Sequence, residues 1–269
     1  MSKVFFSIIT PVLNGEFYID NFIKTLTNQT YKNWEAIIID DHSSDNTYKY
    51  LRKKSEFDKR FKIYKNQNNK EINSPYAARN YGLNKSNGLY ICFLDIDDYW
   101  YKEKLAIEYE IIKNKNIDIL VGNYIKANNK LTSGYLKPRI KFISIKSQLF
   151  ICNPFPMLST TVKFSKIKRL KFKSLFHEDY IFWKELVNKN KNIKIHFHKN
   201  IIAIYRIREN SLSYNRFKTI FWLRDCYKYF EYNRFIIYPI LFLRTIFFLI
   251  EKYAVKFKFL KTKELKFKK

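Results

Sequence analysis

The chain has 269 residues, 46% of them hydrophobic, with only five Gly and six Pro. That supplies one large folded domain, or a domain of roughly 220 residues with an appendage, and excludes a disordered, low-complexity or fibrous chain. A formal charge of +27 calls for anionic company, with nucleic acid and an anionic membrane face as the two candidates.

The charge is uneven. Six cations crowd Lys163 to Lys173, and eight lysines with one acid fill Lys252 to Lys269. Cys92, Cys152 and Cys226 are dispersed and lack C-x-x-C spacing, which suits a reducing compartment and excludes a zinc knuckle. The opening stretch from Met1 to Leu13 is apolar but broken by Pro11, with no small-residue cleavage site. It reads as a first strand and not as a signal peptide.

In chain order, Val4 to Thr10 is a β-rich run that Pro11 is expected to end, because proline cannot donate to a ladder. Asn14-Gly15 signals a turn. Phe17, Ile19, Phe22, Ile23 and Leu26 then recur at helical spacing, for a helix ending near Thr30. Trp34 to Ile39 is a second, almost wholly apolar strand, followed by Asp40-Asp41-His42-Ser43-Ser44-Asp45. Asp45 is the expected N-cap of a helix through Phe57. Phe61 to Tyr64 is a third strand, and Pro75 opens a helix containing Ala77, Ala78, Arg79, Asn80 and Leu83.

Tyr90 to Leu94 is a fourth, interior strand that runs into three carboxylates, Asp95, Asp97 and Asp98. In a chain that stays extended, Asp95 and Asp97 share a face, because strand side chains repeat every two residues. Two such carboxylates call for a hard divalent cation that also touches a phosphate; the competing reading is that they cap the following helix, Tyr101 to Lys113. Strand Ile117 to Val121 follows. Strands and helices thus alternate through the first half, the signature of a mainly parallel sheet. Polar residues stand just after strands one, two and four, where open α/β sheets bind ligands. Neither G-x-G-x-x-G nor G-x-x-x-x-G-K occurs, so phosphates would be held by a metal and Arg79 instead of a glycine cradle.

The second half is less regular. Ile140 to Cys152 reads as a helix, Asn153 to Pro156 as a loop and Ser159 to Phe164 as a strand. His177-Glu178-Asp179 opens a helix over Tyr180 to Asn188, where the acids could serve only the helix dipole. Ile193 to Ile207 is β-rich and ends at Arg206, Arg208 and Asn210. Phe235 to Ile250 is a 16-residue, almost wholly apolar run containing Pro239 and Arg244. It is short for a span, and an internal Arg is costly there. An amphipathic helix on an anionic membrane is expected, the lysines from Lys252 adding about 1 kcal/mol each near the surface. A helix that covers the domain or mediates dimerisation is the other reading.

These segments resemble glycosyltransferase family 2, inverting enzymes of the GT-A fold, over roughly residues 4 to 213. The resemblance is carried by Ser7-Ile8-Ile9-Thr10-Pro11-Val12-Leu13-Asn14-Gly15, then Ile37 to Thr47, then Ala77-Ala78-Arg79-Asn80-Tyr81-Gly82, then Phe93-Leu94-Asp95-Ile96-Asp97-Asp98, and finally His177-Glu178-Asp179 and Tyr205-Arg206. It implies an α/β GT-A domain, 1–213, with a basic helical extension, 214–269. It also implies that Asp41 accepts from the base of a UDP-sugar, with Pro11 lining the pocket, and that Arg79 approaches the base or the diphosphate. Asp95 would sit at the ribose or metal side, and Asp97 would bind Mg²⁺ or Mn²⁺ bridging the phosphates. Asp179 would be the general base on the sugar hydroxyl that attacks, while Asp40, Asp45, Asp98 and Glu178 would be supporting residues.

His42 departs from a position where the family often has Gly, and Ser74 from another. The absence of Q-x-x-R-W and of spanning-helix arrays argues against a processive synthase. The expected protein is a cytoplasmic enzyme, peripheral on the inner face of the plasma membrane, acting on a lipid-linked oligosaccharide, lipooligosaccharide or capsule precursor. A basic nucleic-acid-binding protein is the alternative, supported by charge and aromatic content alone.

Overall fold

A computed structural model describes residues 4–67, 75–128, 134–136, 144–175, 177–207 and 216–256. Arg208, Asn210 and Ser74, the start of the helix expected from Ile140, and the lysines beyond Lys256 lie outside the described residues. The order of elements is β1 (Phe6–Val12), α1 (Ile19–Thr27), β2 (Trp34–Asp40), α2 (Thr47–Phe57), β3 (Phe61–Lys65), α3 (Pro75–Lys85), β4 (Tyr90–Phe93), β5 (Tyr99–Trp100), α4 (Lys104–Asn114), β6 (Ile119–Ala127), β7 (Gly134–Leu136), α5 (Ile145–Ile151), β8 (Thr160–Lys163), α6 (Phe164–Ile167), α7 (Glu178–Lys189), β9 (Ile195–Arg206), α8 (Arg216–Tyr229) and α9 (Arg234–Lys256).

One sheet runs in the order β3-β2-β1-β4-β8-β6-β9-β5, with β7 attached to β6. The first four strands are mutually parallel, and β8 enters antiparallel to both β4 and β6. The near-continuous apolar strands follow from cover on both faces. Ile9, Ile37, Ile39 and Phe93 pack on one side with α3 and α7, whereas Phe6, Ile8, Ala36 and Ile38 pack on the other with α1 and α4.

Several boundaries differ from expectation, each for a local reason. β1 continues through Pro11 to Val12. Val12 accepts from Asp41 N–H on the β2 side, so Pro11 turns its nitrogen toward β4, whose pairing with β1 ends at Ile9 and Phe93. No ladder bond is lost there. The first helix is preceded by a 3-10 turn, Glu16–Tyr18, and Phe17 is 81% exposed instead of buried. Asn46, not Asp45, is the N-cap of α2, although Asp45 Oδ1 accepts from Thr47 N–H at 3.0 Å. The two-residue β5, which pairs with β9, stands at Tyr99–Trp100 just ahead of the helix expected from Tyr101, and α4 starts only at Lys104. α9 extends to Lys256. Among the described residues no helix is long and apolar enough to cross a membrane.

Candidate active site

The parallel register aligns the carboxyl ends of β1, β2 and β4, because Pro11 lies beside Ile39 and Ile9 beside Phe93. Pro11, Asp41 and Asp95 therefore stand along one sheet edge. The loops after β1 and β2 are laced together: Asn14 N–H donates to Ser43 Oγ at 2.9 Å, Ser44 N–H to Asn14 Oδ1 at 2.8 Å, and Gly15 N–H to Thr47 Oγ1 at 2.8 Å. His42 takes the left-handed backbone, φ 64°, that glycine adopts without cost, so the turn keeps its shape under strain. Asp41 is buried, and its Oδ1 accepts from Asn66 Nδ2 at 2.7 Å. That bond fixes the carboxylate just past the strand end.

The Ala77-Ala78-Arg79-Asn80-Tyr81-Gly82 segment in α3 is explained residue by residue. Ala78 is buried against the sheet. A Cβ at Gly82 would stand 2.5 Å from Ile9 Cγ2, so only glycine lets α3 lie this close to β1. Asn80 clasps the Phe172 backbone with two bonds, donating to its carbonyl at 2.9 Å and accepting from its N–H at 2.8 Å. Arg79 is buried, with Nη2 donating to Asp95 Oδ1 at 2.9 Å and Nη1 to Glu178. One guanidinium thus joins the end of β4 to the start of α7. Burial opposes its charge, but Asp95, Glu178 and Asp179 together hold its pKa above the ordinary value.

The carboxylates after β4 do not share a strand face. Asp98 N–H donates to the Asp95 carbonyl at 3.1 Å, closing a turn over Asp95–Asp98. The alternation argument fails there, because the backbone is no longer extended. The Asp95 side chain is 40% exposed, and its Oδ2 bonds to no described residue, whereas Asp97 and Asp98 are buried. Arg206, at the end of β9, straps this turn. Its N–H donates to Asp98 Oδ1 at 3.0 Å and its Nε to the Asp97 carbonyl at 2.8 Å. Asp98 is therefore a supporting residue of the turn.

His177 precedes α7 with a left-handed φ of 60°, and Glu178 and Asp179 occupy the first turn. Burial, and the negative charge of Asp179, raise the Glu178 pKa even though Arg79 lowers it. Asp179 Oδ2 accepts from Asn153 Nδ2 at 2.8 Å. The structure brings Asp95, Arg79, Glu178 and Asp179 together, with Asp97 two residues after Asp95 in the same turn and Asp41 just past the end of β2, which β1 separates from β4. Asn66, Asn153 and the full part of Glu178 were missed by sequence reasoning. Their partners are 25, 26 and 99 positions away, so no local pattern marks them.

Among the described residues no three His, Cys, Asp or Glu side chains form a ready metal cage. The exposed Asp95 oxygen that bonds to no described residue, with Asp97 two residues on in the same turn, instead fits a hard cation that arrives with a nucleotide. Such ions take one or two protein carboxylates and complete their shell with phosphate and water.

The Glycosyl transferase family 2 model matches residues 7–208. The chain belongs to glycosyl transferase family 2. It is 33% identical over 223 residues to the Escherichia coli UDP-Glc:alpha-D-GlcNAc-diphosphoundecaprenol beta-1,3-glucosyltransferase WfgD, covering 82% of this chain and 84% of that one. It is 31% identical over 230 residues to an uncharacterized glycosyltransferase of Haemophilus influenzae, covering 84% and 89%. S. aureus TarS in complex with UDP-GlcNAc shares the fold, with a TM-score of 0.63 at 21% identity over 82% of this chain and 65% of that one. So does the Pyrobaculum calidifontis mannosyltransferase PcManGT in complex with GDP-Man and Mn²⁺, at TM-score 0.63 and 14% identity over 88% and 67%. The chain spans about two thirds of these solved chains. The fold is GT-A, as the resemblance implied, and the protein is a glycosyltransferase. The comparisons lend no support to the nucleic-acid-binding alternative.

Proposed function

We propose that this family 2 glycosyltransferase inverts the anomeric centre as it moves one sugar from a UDP-sugar to a hydroxyl of a lipid-linked surface-glycan precursor. Residues 1–213 would form the catalytic domain. The observation that carries the reading is the Arg79 bridge, which couples the donor-side Asp95 to Glu178 beside Asp179. Relatives add support: WfgD and WfaP of Escherichia coli, 33% and 30% identical, are both named as UDP-Glc enzymes acting on a diphosphoundecaprenol-linked sugar. A cytoplasmic site at the inner membrane face follows from such an acceptor.

The residues divide the work by chemistry. Asp41 accepts from the nucleotide base, and Pro11 lines the same pocket. Arg79 presents positive charge where a diphosphate would lie, while Asp95 faces the ribose or the cation. Mg²⁺ or Mn²⁺ held by Asp97 with Asp95 would supply Lewis-acid stabilisation of the departing diphosphate. Asp179, held by Asn153, takes the proton from the attacking hydroxyl as it approaches the face opposite the leaving group. A single displacement needs no enzyme nucleophile.

The test is UDP release from a panel of UDP-sugars, UDP-glucose first, with Mn²⁺ and a diphospholipid-linked acceptor. Asp179→Asn should lower kcat by roughly 10²–10⁴ while UDP still raises the melting temperature. Asp97→Asn should lose the Mn²⁺-dependent part of that UDP shift. Turnover that survives Asp179→Asn at the wild-type rate would overturn the assignment.

A further inference from the structure

The helix α9 is apolar on two opposite sides, and only one of them is covered. Ile237 and Leu241 are buried and join the core beneath α5 and α8. The other arc carries Phe235, Ile236, Tyr238, Phe242, Leu243 and Ile246, all exposed, with Phe235 at 74% and Phe242 at 67%. Successive positions at 100° put these six on one continuous side of the helix. The one charge in this stretch, Arg244, lies on the covered side near Tyr227 of α8, with its Nη1 buried. The internal arginine that makes a membrane-spanning helix costly is therefore turned away from the exposed arc.

We propose that this arc docks α9 in the plane of an anionic lipid bilayer. Charge complementarity selects that occupant. Arg234 stands exposed at the start of the arc, and Lys252 to Lys269 supply eight lysines against one acid. In sequence, a cation before this apolar face and a lysine-rich stretch after it match the boundary between acyl chains and anionic headgroups. A second copy would bring the same positive charge and be repelled. α9 lies along the surface, since no described helix is long and apolar enough to cross. The neighbouring α8 touches the head of the catalytic helix through Trp222 against His177, ring centroids 5.8 Å apart. One helix thus separates the docking arc from Asp179. Presentation of the acceptor by the bilayer at this point rests on the function proposed above.

The test is co-sedimentation of the full chain with vesicles of phosphatidylethanolamine and phosphatidylglycerol, against vesicles of phosphatidylcholine alone. The wild type is expected in the pellet with the anionic vesicles, and the double variant Phe235→Ser/Phe242→Ser at least tenfold depleted, with UDP release from a UDP-sugar unchanged. Phe242→Trp should be quenched by brominated acyl chains, a readout independent of how well the Ser variant folds. A wild type that stays in the supernatant, a Ser variant that binds as well as wild type, or an unquenched Trp overturns the proposal. So does a wild-type dimer in vesicle-free buffer that the Ser variant dissolves. Failed vesicle binding with intact UDP release removes this inference alone, and intact vesicle binding without UDP release removes the transferase reading alone.

Discussion

Arg79 is the residue on which two halves of the site depend. Its terminal nitrogens are shared between Asp95 and Glu178, so removing one carboxylate unbalances the other. Glu178→Gln should keep a hydrogen-bonding group but lose the charge that pins Nη1. An expected tenfold loss of kcat/KM corresponds to about 1.4 kcal/mol of transition-state stabilisation. A wild-type kcat/KM in that variant would show that the bridge is structural only. Asn153→Ala removes the donor that orients Asp179. It should lower kcat by roughly tenfold with KM for the nucleotide-sugar unchanged, in the way expected when only the proton-accepting step is disturbed. A rise in KM with constant kcat would place Asn153 in donor binding instead. Asp41, Arg79 and Asp179 could be picked from sequence because they sit in short recognisable segments. Asn66 and Asn153 could not, since each is a lone asparagine whose meaning comes from a carboxylate brought to it by the fold.

At the scale of elements, the close approach of α3 to the sheet is set by one missing side chain. Gly82→Ala would drive a Cβ to 2.5 Å from Ile9 Cγ2 and 3.0 Å from Ile39 Cδ1. Overpacking of this kind costs about 1–3 kcal/mol, and Gly82→Val should cost more. Denaturant melts of the two variants check this, and wild-type stability in both would refute the tight packing. The strand-and-helix alternation was legible because each of β1, β2 and β4 is an apolar run between polar turns. The turn after β4 was not legible. Asp95-Ile96-Asp97 alternates as a strand would, yet Asp98 N–H closes onto Asp95 and Arg206 straps the result from 108 residues away. β5 was hidden for a related reason: a two-residue strand has no periodicity, and it exists only because β9 is there to pair with it.

At the scale of the whole molecule, the C-terminal helices are fastened to α7 through Lys184. Its buried ammonium lies 4.5 Å from the ring centroids of Phe150 and Tyr232 and 4.9 Å from Phe230, and donates to Tyr180 Oη at 3.1 Å. Aromatic faces favour the cation, but burial dominates and pushes its pKa from 10.5 down to about 8. Below about pH 8 both folded and unfolded chains hold this proton, and the cost of burying the charge is fully present. Between about 8 and 10.5 the unfolded chain binds a proton that the folded chain has released, so stability rises with pH. The melting temperature of the wild type relative to Lys184→Met should therefore climb from pH 7.5 to 9.5, both values chosen to bracket the lower pKa. A flat or falling difference would show that the aromatic cage keeps the ammonium charged.

The sequence alone determined the apolar strands, the order of the polar strand ends and the family to which the chain belongs. Those depend on residues within one or two turns of each other. The tertiary structure decided that Glu178 shares Arg79 with Asp95, that Arg244 faces inward, and that one side of α9 is left uncovered. Each of these is a contact, or the lack of one, between segments far apart in the chain. Periodicity carries the direction in which a side chain points from its own element, but it holds no record of what the rest of the chain puts there.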